Sequence, residues 1–107
     1  MSVKRADRSS SGSANWRRRA PTVALRLYVA GSSPNSLEAR ANLKVIEGRL
    51  GARFELELVD VLANPGRALS DGILVTPTLV RVSPWPSIRI LGNLRDIELV
   101  LRTLGLA

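Results

Sequence analysis

From Val23 onward the chain alternates, with Val23, Leu25, Leu27 and Val29 on one side and Ala24, Arg26, Tyr28 and Ala30 on the other. A period of two is that of a β-strand. Gly31-Ser32-Ser33-Pro34 breaks the alternation and predicts a helix start, with the Ser33 hydroxyl accepting a backbone N–H and Pro34 in the first helical position, where its missing donor is harmless. The period then becomes helical as far as about Leu50. Ala39, Leu43, Ile46 and Leu50 form the expected buried stripe, widened by Leu37 and Val45, while Glu38, Arg40, Lys44 and Glu47 face water. Gly51 is placed to stop this helix.

Phe54, Leu56 and Leu58 alternate with Glu55 and Glu57 and run on into Val59-Asp60-Val61, which predicts a second strand. Strand, helix, strand implies a parallel pair with a right-handed crossover. Asn64-Pro65 repeats the cap-and-proline signal before a short, weakly apolar helix that ends near Asp71-Gly72. Beyond Thr76-Pro77, the run Thr78-Leu79-Val80-Arg81-Val82 alternates, Pro84-Trp85-Pro86 turns the chain, and Ile88-Arg89-Ile90-Leu91 returns as the second arm of a hairpin. Asn93 is expected to cap a last helix whose Leu94, Ile97, Leu101 and Leu104 recur at helical spacing, with Asp96 in the first turn and Gly105 at the end. The order is βαβαββα around a central mixed sheet, within one α/β domain over residues 23–107.

Charge changes this picture only at the front of the chain. Of 107 residues, 16 are Lys or Arg and 9 are Asp or Glu, for a net charge of +7. Residues 1–22 hold Lys4, Arg5, Arg8, Arg17, Arg18 and Arg19 against Asp7 alone, a charge of +5 that leaves +2 for the domain. Residues 1–22 read as a disordered basic arm, too polar to offset the entropy of ordering. An anion-binding arm is the alternative reading, whereas an export signal fails because Pro21 and Arg26 interrupt the apolar stretch. The near-neutral domain gives no support to nucleic-acid binding, and no apolar run has membrane-spanning length.

The chain contains no cysteine and no histidine, which removes thiol redox chemistry, disulfides, Ser-His and Cys-His nucleophiles and ordinary zinc sites. The acidic residues are scattered singles without the dense spacing of a calcium loop. Asp60 after the second strand has no partner acid, nucleophile or metal, so a catalytic role has no support. The expectation is a cofactor-free, metal-free, non-catalytic domain in the cytoplasm. Ser33, Asn35 and Ser36 read as cap residues before they read as an anion site.

The element order resembles the thioredoxin layout, with a Thr76-Pro77 step before the third strand whose peptide is expected to be cis. Ser32-Ser33-Pro34-Asn35-Ser36 stands where redox cysteines would be, so disulfide exchange is impossible. At finer grain the chain resembles the KaiB family of bacterial circadian clock proteins. The likeness is carried by Leu27-Tyr28-Val29-Ala30-Gly31 with Ser33-Pro34-Asn35-Ser36, by Val59-Asp60-Val61-Leu62 with Asn64-Pro65, by Ile73-Leu74 with Thr76-Pro77-Thr78-Leu79, and by Ile90-Leu91-Gly92-Asn93-Leu94.

The resemblance implies a protein that docks on the hexameric ATPase KaiC, as a monomer or from a dimeric or tetrameric resting state, with the half after the second strand able to repack between two folds. It implies departures too. Glu38, Ala41, Glu57 and Gly72 stand where family members often carry basic residues, and opposite-sign replacements redirect specificity, toward a paralogous ATPase or a signalling histidine kinase. Arg89 matches a basic position of the family's fourth strand and is the leading candidate partner contact, although Arg81 and Arg89 read more readily as solvating the outer sheet face. Trp85 is a second candidate, either as an anchor or as a lid on the core. Glu57, Arg40 and Lys44 complete the expected contact set, and Pro77, Thr76, Ser33 and Pro34 are expected to be structural.

Overall fold

The computed structural model describes residues 23–50 and 54–105, so the basic arm and the helix stop expected at Gly51 lie outside the described residues. Alternation at Val23–Val29 produces β1, which is followed by α1 (Pro34–Leu50), β2 (Phe54–Asp60), α2 (Pro65–Ser70), β3 (Thr78–Ser83), β4 (Ile88–Leu91) and α3 (Ile97–Thr103). The sheet order is β2-β1-β3-β4. Strand β1 runs parallel to β2 and antiparallel to β3, and the β3–β4 hairpin is antiparallel.

One face of the sheet carries the main core. Leu25, Leu27, Val29 and Leu79 pack there against Ala39, Leu43 and Ile46 of α1 and against Leu94, Val100, Leu101 and Leu104 around α3. Each of the buried leucine, isoleucine and valine side chains contributes about 1.5–3 kcal/mol of transfer free energy. The opposite face holds a smaller cluster of Tyr28, Val59 and Val80, edged by Val61 and Ile73. The two faces of β1 therefore match the two sides read from its alternation.

The buried stripe of α1 is narrower than expected, because Leu37 and Val45 are half-exposed. Ser33 does not cap with its hydroxyl, which bonds Ser36 Oγ at 2.9 Å. The buried Ser36 Oγ instead accepts from Ala30 N at 3.0 Å, so Ser36 secures the end of β1 to the first turn of α1. Strand β2 stops at Asp60, one residue earlier than expected, and Val61 N continues the contact by donating to Val29 O at 2.8 Å.

Asn93 does not cap α3. Asp96 does, accepting from Leu99 N at 3.1 Å, while Asn93 Oδ1 accepts from Arg95 N at 3.1 Å. The cause is Leu94, whose φ of 64° is left-handed and turns the chain away from a helix while its side chain enters the core. Such a conformation costs a residue bearing a Cβ about 1–2 kcal/mol, which burial of the leucine offsets. The Thr76–Pro77 peptide is cis, as are Ser83–Pro84 and Trp85–Pro86 in the hairpin turn. Among the described residues no helix is long and apolar enough to cross a membrane.

A candidate docking surface

Register brings Glu57, Arg26, Val80 and Arg89 into one row across the sheet, from β2 to β4, on the face that α2 overlies. Arg26 Nε donates to Glu57 Oε1 at 2.8 Å. From α2, Arg67 reaches the same carboxylate with both terminal nitrogens, Nη1 to Oε2 at 2.7 Å and Nη2 to Oε1 at 2.8 Å. This fork, the stronger geometry for a guanidinium and a carboxylate, draws the Glu57 pKa from its ordinary 4.5 to about 2. Arg67 is pushed up by the same bond.

Asp71 closes the network from the turn after α2. The Tyr28 hydroxyl donates to Asp71 Oδ2 at 2.5 Å, Arg26 Nη1 donates to the phenol oxygen at 3.3 Å, and Arg67 Nε lies 3.6 Å from Asp71 Oδ2. Burial, followed by the bond to Asp71, raises the Tyr28 pKa. Arg89 donates to the backbone carbonyls of Gly72 and Asp71 at 2.8 and 2.5 Å.

The two basic residues read together from the hairpin point to opposite faces. Arg89 pairs with Val80 on the α2 side, whereas Arg81 shares the helix side with Leu79. Arg81 is therefore no solvating residue. Its Nη1 donates to Leu104 O at 2.7 Å and its Nη2 to Pro86 O at 2.9 Å, joining the end of α3 to the hairpin turn.

The five candidate contacts fall in three places. Glu57 and Arg89 share the α2 face. Arg40 and Lys44 lie on the far side of the sheet, lining a groove between α1 and β2 floored by Leu43, Leu56 and Leu58. Trp85 stands on the hairpin turn at the other end of β4, and at 84% exposure it covers no core.

Sequence reasoning missed a set of exposed apolar side chains where β1 ends. Leu62 is 71% exposed and Leu74 95%, with Val75 and Leu91 also open to water. Gly31 (φ 54°) sits tight against Leu62, since a Cβ there would lie 3.1 Å from its Cδ1. Gly92 N bonds Pro77 O at 2.9 Å, which holds the ends of β3 and β4 together beside Leu91. Alternation and helical period say nothing about apolar residues in turns, so only the fold reveals that these leucines gather around one end of the sheet. Exposed apolar side chains at one end of the sheet make that end the candidate interaction surface.

Asp60 Oδ1 accepts from Gly31 N and Leu62 N, both at 3.0 Å, so its carboxylate shapes the turn. Among the described residues no three Asp, Glu, His or Cys side chains come together in a way that could hold a metal ion.

The family model described as the KaiB domain matches residues 26–106. The circadian clock oscillator protein KaiB of Synechococcus elongatus is 48% identical over 86 residues, covering 79% of this chain and 84% of that protein. Its counterpart from Prochlorococcus marinus is 45% identical over the same span, with 72% of that protein covered. Among solved structures, the N-terminal domain of Synechococcus elongatus SasA superposes with a TM-score of 0.67 at 22% identity, over 89% of this chain and 91% of that one. Chloroplastic thioredoxin z superposes with a TM-score of 0.62 at 20% identity, over 78% of this chain and 80% of that one. These last two show the fold, which is thioredoxin-like.

Proposed function

The chain belongs to the KaiB family of circadian clock proteins, and on that premise we propose that it is a non-catalytic docking module that seats on a KaiC-like ATPase. The observation that carries this reading is the exposed apolar end of the sheet, with Leu62 and Leu74 standing in water on a domain that has neither cysteine nor histidine to do chemistry. Burial of these side chains against a partner supplies the driving force. Charges on the two sheet faces, Arg89 and Glu57 on the α2 face and Arg40 and Lys44 along the α1 groove, select which partner fits. Trp85 adds an aromatic contact at the hairpin. The module works in the cytoplasm, and a dimer or tetramer with a repacked second half is its resting alternative.

Size-exclusion chromatography of the purified full chain with the KaiC-like ATPase of the same genome, in ATP, tests the proposal. Co-elution of the two is expected. Separate elution of ATPase and chain over the full concentration range, together with co-elution of a histidine kinase from the same genome, would replace the ATPase with a signalling partner.

A further inference from the structure

Helix α2 is held differently from every other element. It is only 6 residues long and buries no side chain, so neither its own hydrogen bonds nor a hydrophobic face keeps it in place. Apolar anchors lie on either side of it, Val61 before and Ile73 after, both packed on Tyr28, Val59 and Val80. Between those anchors the side-chain bonds to the sheet are polar: Arg67 to Glu57, Asp71 to Tyr28, and Arg89 to the carbonyls that follow the helix. The two ion-pairing side chains of the main clasp, Arg67 and Glu57, are 37% and 46% exposed.

We propose that residues 62–72 form an electrostatically held strap that opens as a unit over the Tyr28 face while the rest of the domain stays folded, with Arg67 as its clasp. Ion pairs that water reaches are screened by salt, and the apolar packing of α1 and α3 is not. The strap is thus the element that salt releases first, at the low end of the domain's range of local stabilities. Its opening uncovers the phenol of Tyr28, the chain's one tyrosine. Competing charge from another molecule at Glu57 or Asp71 would release it in the same way. The inference rests on this geometry and requires no partner.

Hydrogen exchange and acetylation of Tyr28 by N-acetylimidazole, both on the full chain, test it. The amides of Ala68, Asp71 and Gly72, all hydrogen-bonded within the strap, are expected to exchange far faster than those of Leu25 and Leu27. Raising NaCl to about 0.5 M is expected to speed strap exchange and Tyr28 acetylation by about two- to fivefold while the β1 amides stay unchanged. Arg67→Gln should show the faster rates at low salt and lose the salt response, with Arg67→Lys between it and the native chain; Glu57→Gln should repeat the result independently. Strap amides that exchange in step with β1 at every salt concentration, or rates unmoved by both substitutions, would overturn the proposal.

Discussion

The Tyr28 hydroxyl donates a 2.5 Å hydrogen bond to the Asp71 carboxylate, tying the central strand to the turn after α2. Tyr28 itself is 1% exposed, and its ring completes the smaller core with Val59 and Val80. Tyr28→Phe keeps the ring and removes the donor. The expected loss is about 1 kcal/mol, the net worth of one such bond, read as a lowered urea midpoint with an unchanged slope. An unchanged midpoint would show that the bond contributes nothing to stability.

Protonation of Glu57 gives a signed pH effect. Its pKa falls from 4.5 to about 2 on folding, chiefly through the bond from Arg67, so its stabilising effect is complete above pH 4.5 and disappears as the pH falls toward 2. Acid titration followed by circular dichroism should show stability declining through that window, and Glu57→Gln should flatten the decline. Tyr28 acts at the other end. Its raised pKa means that stability present below pH 10 is lost as the pH climbs through the folded value.

Arg81 holds the end of α3 with one nitrogen and the hairpin turn with another. Arg81→Met preserves the apolar stem and removes both bonds. A loss of about 1.5–3 kcal/mol is expected, the range for hydrogen bonds from a charged donor, and urea denaturation checks it.

Leu79 and Leu74 separate packing from surface. Leu79 is fully buried at the centre of the main core, so Leu79→Ala should cost about 2–5 kcal/mol. Leu74, 95% exposed, should lose almost nothing on the same truncation. Paired thermal melts decide whether the apolar end of the sheet is a surface or a part of the core.

Alternation exposed the two faces of β1 before any coordinate did, because Leu25 and Leu27 meet helices while Tyr28 meets the opposite cluster. The order of elements was largely legible too, since glycine or proline marks most boundaries, although β2 ends at Asp60 with neither beside it. Legibility ended where bonding is long-range. Asn93 has the chemistry of a cap, yet the left-handed Leu94 hands that place to Asp96. Arg81 and Arg89 look alike in sequence and serve opposite faces. The Arg67–Glu57 fork joins residues ten apart, a spacing that no periodic pattern marks. Leu62 and Leu74 were invisible as a pair because turns bring them to one end of the sheet, and periodicity does not describe turns.

Calorimetric titration of the full chain into the KaiC-like ATPase of the same genome tests the central claim most directly. Saturable binding is expected from the native chain. The Leu62→Asp/Leu74→Asp variant, with its unfolding midpoint unchanged, should bind at least about tenfold more weakly, or about 1.4 kcal/mol. Failure of the native chain to bind, or equal affinity of the folded double variant, would contradict the account.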